Sequence, residues 1–339
     1  MNLVNDHLAK ERKDHPLESR KKREGGVIIP VASGKGGVGK SVFSAALAIT
    51  LARRGKKVAA VDLDLGGSNL HTYLGLPNTN PGIGDFLKQR RDDLQALLVP
   101  TTIDGLSLLP GDGKTPFMAN IPSQQRLLLM EELKKIEADY VILDLGAGSA
   151  LNTMNIFGLA TDGIVVTTLD TPALMNALVF IRNFLFATIL SLTSHKAPVK
   201  KLLLDAYRRS ADGANLTASE AYRKIAEHDR LLAREISKRC TQFTPRLVYN
   251  MADHAEDLQV ASRIGGTLKK NLSLDSSILG LLFYDSSVRK AVRKNQVYPP
   301  EQADTPFTRG MQKIVDRILK PESAPARIES LINEAKRAG

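Results

Sequence analysis

An α/β fold is the class this sequence predicts: a doubly wound, mostly parallel sheet with helices on both faces and a helical insertion. Three observations point there. Short continuous apolar runs alternate with stretches of helical spacing, as buried parallel strands and their crossover helices require. The first run leads into Gly34-Lys35-Gly36-Gly37-Val38-Gly39-Lys40-Ser41, a phosphate-binding loop in strand–loop–helix context. Acidic residues then stand at the carboxyl ends of the following strands, where open α/β sheets bind their ligands.

Composition narrows the classes further. With 339 residues, 43% hydrophobic and 24% charged, the chain can bury a large core. A formal net charge of +11 favours anionic partners such as nucleotide, nucleic acid or acidic lipid. Cys240 is the only cysteine, which excludes an intrachain disulfide or a cysteine metal cage and reads as a packing residue. The histidines (His7, His15, His71, His195, His228, His254) are scattered without metal-ligand spacing. The first residues lack the apolar core of a signal peptide, and no uninterrupted apolar stretch has membrane-spanning length. The expectation is a cytoplasmic or peripheral protein.

Each element has its own justification. Residues 1–24 are a polar, charged tail ending in Arg20-Lys21-Lys22-Arg23-Glu24. Val27, Ile28, Ile29 and Val31 make the first strand, and Val42 opens a helix closed by Arg53-Arg54-Gly55. Lys57 to Asp62 is the second strand, followed by the loop Leu63 to Leu70 and a short helix within Pro81 to Leu87. Leu106 to Pro110 is a strand entering Gly111-Asp112-Gly113. Pro122 to Ala138 has helical spacing, and Tyr140 to Asp144 is a strand running into Leu145-Gly146-Ala147-Gly148-Ser149. A strand over Gly163 to Thr168 and a helix over Pro172 to Phe186 complete the first half.

From about 187 to 244 the rhythm breaks, with no strand-like run and more basic than acidic residues. Thr217 and Glu220 form a helix-start signature, and one helix is expected through Tyr222, Ile225, Leu231, Leu232 and Ile236. Strand Arg246 to Asn250, a helix near Ala255 to Lys270 and strand Ser277 to Phe283 resume the pattern. Phe307, Met311, Ile314, Val315, Ile318 and Leu319 mark a last core helix. Beyond Pro321 and Pro325, Ile328, Leu331, Ile332 and Ala335 form a narrower stripe beside Arg327, Lys336 and Arg337. It suits a solvated helix or a membrane-surface helix.

The chemistry gathers at three loops. Gly34, Gly36, Gly37 and Gly39 let the backbone curl so that N–H groups from Val38 to Val42 face a phosphate at the positive end of a helix. Lys40 would neutralise the β and γ phosphates and the Ser41 hydroxyl would hold Mg²⁺. Asp144, after Tyr-Val-Ile-Leu, is a Walker-B-type acid able to hold the metal directly or through its waters. Asp62 and Asp64 bracket a loop beside the γ-phosphate, one to steady the metal shell and one to orient the attacking water. The competing reading has Asp62 merely capping the next turn.

These residues carry a resemblance. Lys35-Gly-Gly-Val-Gly-Lys40-Ser41, with its additional lysine, resembles the deviant Walker A of the MinD/ParA family of P-loop ATPases. Val61-Asp62-Leu63-Asp64-Leu65-Gly66 with Asn69-Leu70 is similar to that family's switch I, and Leu143-Asp144-Leu145-Gly146-Ala147-Gly148 to its switch II. Pro81 to Leu87, Leu106 to Gly111 and Leu247 to Ala252 look most like the MinD-like branch that contains FlhG.

The resemblance implies an ATPase domain over 25–320, with the insertion at about 187–244 and a C-terminal amphipathic helix or tail at 321–339. It implies that ATP or ADP and Mg²⁺ bind, and that Lys35 reaches across an ATP-dependent homodimer while Lys40 holds its own nucleotide. Asp64 would orient the hydrolytic water, Asp62 would support Mg²⁺ with Ser41, and Asp144 would complete the metal shell. Asn250 would hydrogen-bond the adenine. The expected product is a conformational state that positions or counts a cellular structure, flagellum or division site. A protein partner would stimulate hydrolysis, and an acidic membrane surface would be met through the C-terminal helix. The alternative is a ParA-like ATPase binding DNA without sequence preference for partitioning. Metallocluster carriers on the same fold need paired cysteines, which one Cys240 cannot supply. The chain departs from the family at Leu169-Asp170-Thr171-Pro172, at Gly280 to Asp285, and in the insertion.

Overall fold

Eight strands form one sheet in the order β3-β4-β2-β5-β1-β6-β7-β8. The strands are β1 (Val27–Ala32), β2 (Val58–Leu63), β3 (Val99–Pro100), β4 (Leu106–Leu109), β5 (Tyr140–Leu145), β6 (Ile164–Thr167), β7 (Arg246–Ala252) and β8 (Ser277–Phe283). The computed structural model describes residues 26–88, 93–111, 121–193, 196, 198–201, 203–205, 217–294, 297, 304–320, 330–333 and 336. The tail over 1–24, the loop residues Asp112 and Gly113, and Ile328 and Ala335 of the last stripe lie outside them.

All pairings are parallel except that of β3 with β4. Sequence reasoning gave no sign of β3, because two residues are too few to show a period and Pro100 is tolerated only at a sheet edge. The chain winds outward from β1 in both directions. This makes the end of β1 the point where crossovers diverge and a ligand crevice opens.

Alternation along the central strands divides the interior in two. Ile28 and Ala32 of β1 face one core with Val141, Leu143 and Leu145 of β5. Ile29 and Val31 face the other with Ile142. On the second face lie α1 (Lys40–Arg53) and α11 (Pro306–Leu319), which buries Phe307, Met311, Ile314, Val315 and Ile318 as the stripe predicts. The short α2 (Leu70–Tyr73) and α3 (Ile83–Leu87) follow β2. The first face is covered by α4 (Ser123–Lys135), α5 (Leu151–Phe157), α6 (Thr171–Leu192), α7 (Ala218–His228), α8 (Arg230–Gln242) and α9 (Leu258–Leu272). Helix α10 (Ser286–Arg293) follows β8.

Two expectations need correction. Helix α6 runs to Leu192, six residues beyond Phe186, because Ile189 continues its buried stripe. Its length and mean hydropathy would also let it cross a membrane, although Asn176, Arg182 and Asn183 interrupt its apolar run. Here that apolarity serves packing: Leu174, Ala177, Phe180, Ile181, Phe184 and Leu185 are buried, and half of the most apolar window lies inside the fold. The second correction concerns the single helix expected from Ala218 through Ile236. It is two helices, because Asp229 takes an extended conformation and its carboxylate caps α8 by accepting the Leu232 N–H at 2.9 Å. The capping box of Thr217 and Glu220 forms as read.

The layers are stapled by aromatic contacts. Phe157 of α5 meets Phe180 and Phe184 of α6 edge-on at 5.1 Å, and Phe184 meets Phe243, just after α8, at 4.6 Å. Helix α6 therefore joins the first half of the chain to the helices that interrupt its rhythm. Near the C-terminus, residues 330–333 are helical. Leu331 is only 3% exposed and belongs to the core opposite to that of α11.

Candidate functional site

The phosphate-binding loop leaves β1 and enters α1 with Gly37 at φ 83° and Gly39 at φ 81°, left-handed angles that favour glycine. Gly39 has a further constraint, since an added Cβ would meet the Asn250 amide nitrogen at 2.3 Å. Among the described residues no side chain caps α1, so its first N–H groups keep their capacity for an anion.

Lys40, the first residue of α1, is 6% exposed. Its ammonium donates to Asp144 Oδ1 at 2.8 Å and to the Ser41 hydroxyl at 3.3 Å. Ser44, one turn on, donates to the same Asp144 oxygen at 2.9 Å. Asp144 is brought there by register, since it pairs with Val31 on one side and with Asp62 on the other. Its second oxygen, Oδ2, is buried and has no hydrogen-bond partner among the described residues. A buried carboxylate oxygen without a partner is costly unless a ligand or cation completes it.

Asp62 sits beside Asp144 and is also buried. Burial first, and then the Asp144 charge, push its pKa up to about 6. Both oxygens are committed to its own loop: Oδ1 accepts the Asp64 N–H at 3.1 Å, and Oδ2 accepts the Ser68 hydroxyl at 2.6 Å and the Leu70 N–H at 2.9 Å. In this state Asp62 is the keystone of the loop after β2, the capping arrangement that had competed with a metal role.

Asp64 lies between the two switch-like loops, within ordinary contact distance of the Cβ positions of Gly67 and Gly146. Partial burial raises its pKa, opposed by Lys40 and assisted by Asp144. Gly148 of the second loop donates its N–H to Ser33 C=O at 2.9 Å, and Ser33 donates its hydroxyl to Lys35 C=O at 3.0 Å. The loop after β5 is thereby tied to the start of the phosphate-binding loop.

The remaining candidates are placed less centrally. Asn250, 4% exposed at the end of β7, donates its amide to Val38 C=O at 2.9 Å and so braces the phosphate-binding loop from below. Lys35 is 38% exposed and turns away from Lys40 to meet Asp170 at 3.5 Å. The structure thus brings Lys40, Ser41, Asp62, Asp64 and Asp144 together and leaves Lys35 at the rim.

Three participants escaped the sequence reading. Ser44 was findable, being four residues after Lys40 and hence on the same helical face. Asp170 stands in the sequence only as a departure from a family pattern. Met251 adopts φ 56°, rare for such a residue, with its Cε only 3.2 Å from the Cβ position of Gly39. No sequence signal announces that angle.

The donor set suits a nucleotide and its divalent cation. It offers a buried cation that can exchange partners, a hydroxyl at the helix start and an unpartnered carboxylate oxygen facing the same cluster.

Comparisons with known proteins agree. Residues 26–189 match the ParA family model, described as an NUBPL iron-transfer P-loop NTPase. The MinD septum site-determining protein of Bacillus subtilis is 37% identical over 153 residues, which is 45% of this chain and 57% of that protein. The flagellum site-determining protein YlxH of Helicobacter pylori is 35% identical over 152 residues, 44% of this chain and 51% of that one. The chain thus spans about half the length of the curated relatives it matches. Among solved structures, the Aquifex aeolicus MinC:MinD complex aligns at TM-score 0.58 and 20% identity, over 89% of this chain and 98% of that one. Pyrococcus horikoshii MinD, solved with Mg-ADP, aligns at 0.54 and 20%, over 89% and 99%. These last two establish the fold alone, and the eight-stranded, mostly parallel sheet is the one they share.

Proposed function

We propose, taking as premise that residues 26–189 form a ParA-type P-loop NTPase domain related to MinD and YlxH, that the chain is a slow ATPase switch. It binds ATP, dimerises through the nucleotide-bearing face and so regulates the placement or number of a cellular structure. Hydrolysis, stimulated by a protein partner, ends that state. The observation that carries the reading is the buried Lys40–Asp144–Ser44 cluster at the mouth of the phosphate-binding loop, with Asp144 Oδ2 unpartnered.

The residues divide the work. Lys40, now neutralised by Asp144, exchanges that carboxylate for the β and γ phosphates, which frees Asp144 to face the cation. Ser41 and Asp144 would hold Mg²⁺, which supplies Lewis-acid charge at the phosphoryl oxygens. Asp62 contributes by fixing the loop after β2, and its Oδ1, which accepts the Asp64 N–H, keeps a second lone pair for a water of the metal shell. Asp64, held between both loops, orients the water, and its raised pKa leaves it able to accept a proton transiently. Lys35 completes the site of a second copy. Iron transfer, which the family model's description mentions, is not carried over, because the only cysteine is 2% exposed among α7 and α8 core residues.

The test is phosphate release by Asp64→Ala alongside nucleotide binding. Binding retained with turnover lost supports the reading, whereas turnover at the parental rate defeats it. A second reading, ATP-dependent DNA binding, has one supporting observation. Arg230, Arg234 and Lys238 are exposed at four-residue spacing along α8, a cationic row suited to phosphates. It predicts retention on DNA that falls steeply between low and physiological salt. A membrane contact that uses Leu331 requires that residue to leave the core first.

A further inference from the structure

The two lysines of the phosphate-binding loop are held by different acids. Lys40 pairs with buried Asp144, while Lys35 pairs with Asp170, which is half exposed and heads α6. One carboxylate of Asp170 serves three groups. It accepts the Ala173 N–H as the α6 cap at 3.1 Å, the Thr168 hydroxyl, and the Lys35 ammonium. The meeting does not depend on two drifting side chains. Gly34 is pressed onto the second turn of α6, where an added Cβ would lie 2.2 Å from the Asn176 carbonyl, so loop and helix touch through their backbones.

We propose that Asp170 is a positioning residue for Lys35. It keeps the ammonium on the α6 side of the free subunit and thereby sets the threshold at which Lys35 is available to a phosphate held by a second copy. The inference rests on the dimer reading above. Two effects act in one direction. The carboxylate competes with phosphate for the ammonium, and its charge opposes a polyphosphate approaching the rim. An exposed pair of this kind shifts an equilibrium by at most about five-fold, which a polyanion readily overcomes. The pair therefore biases dimerisation without preventing it.

The test is sedimentation velocity of the full chain with magnesium and a non-hydrolysable ATP analogue over a protein concentration series. Asp170→Asn keeps an acceptor for the α6 cap and removes the charge. It is expected to tighten the dimer by about two- to five-fold. Asp170→Ser, which also caps a helix, should do the same, and Asp170→Glu should stay near the parent. In a Lys35→Ala background, where only the repulsion of the polyphosphate remains, Asp170→Asn should give a clearly smaller gain. An Asp170→Asn dimer no tighter than the parent's, or an equal gain in the Lys35→Ala background, overturns the proposal. A parent that forms no dimer, or a Lys35→Ala variant that dimerises like the parent, overturns the dimer reading and this inference with it. The lysine arm separates the two failures.

Discussion

Lys40 and Lys35 stand five residues apart in one loop and illustrate how burial assigns work to the same functional group. Lys40 lies at the heart of the loop, 6% exposed, against a carboxylate that is itself buried and shared with Ser44. Lys35 lies at the rim, 38% exposed, against a half-exposed Asp170. Removing one partner from a buried pair leaves an uncompensated charge in a poorly solvating interior. Removing one from an exposed pair lets water take its place. The heart of the loop is thus bound to the stability of the fold, whereas the rim is free to answer to another molecule.

Four substitutions test that contrast, from the largest effect to the smallest. Lys40→Ala should abolish detectable ATP binding in a fluorescent-nucleotide titration. Because Asp144 loses its counter-ion, it should also lower unfolding stability by about 3–5 kcal/mol in urea melts. Stability unchanged within error would mean that the buried pair does not hold the fold together. Asp64→Ala should lower the rate of phosphate release by about 10²-fold or more while leaving ATP affinity within a few-fold, since Asp64 is only half-buried. Asn250→Ala leaves Val38 C=O without its partner and should cost about 1–3 kcal/mol, read from the same melts. A loss of affinity for ATP and GTP alike would assign Asn250 to bracing the loop, whereas a loss confined to ATP would assign it to the base. Lys35→Ala should cost less than about 1 kcal/mol of stability and leave nucleotide binding intact. Its effect should appear only in the concentration dependence of ATP-induced dimerisation, and a defect in monomer nucleotide affinity would contradict the rim placement.

Cys240 offers a control remote from the loop. Burial pushes its thiol up to about 11, so at neutral pH it stays protonated and should react with an alkylating reagent far more slowly in the folded protein than in urea. Equal rates would show that the packing of α7 and α8 around it is looser than described.

The alternation of apolar strands and helices was legible in the chain because buried parallel strands need continuous apolar runs and their crossovers need amphipathic stretches. Both are local patterns. The phosphate-binding loop was legible for the same reason, its glycines and Lys40 being contiguous. The break between α7 and α8 was not, since Asp229 reads as an ordinary polar position until its carboxylate is seen capping Leu232. The reach of α6 to Leu192 was missed because a helix buried on much of its surface loses the polar face that marks its end.

What the sequence determined by itself is the chemistry available: a loop that can cradle phosphate, one lysine before and one at the helix start, and acids at strand ends. What only the tertiary structure decided is which of these groups meet. Parallel register sets Asp62 beside Asp144, and Asp62 spends both oxygens on its own loop. Close backbone contact at Gly34 brings Lys35 to Asp170, while α1 carries Lys40 inward to Asp144. The physical reason is that charge pairing and burial depend on distances between elements far apart in the chain, and no local pattern of residues encodes those distances.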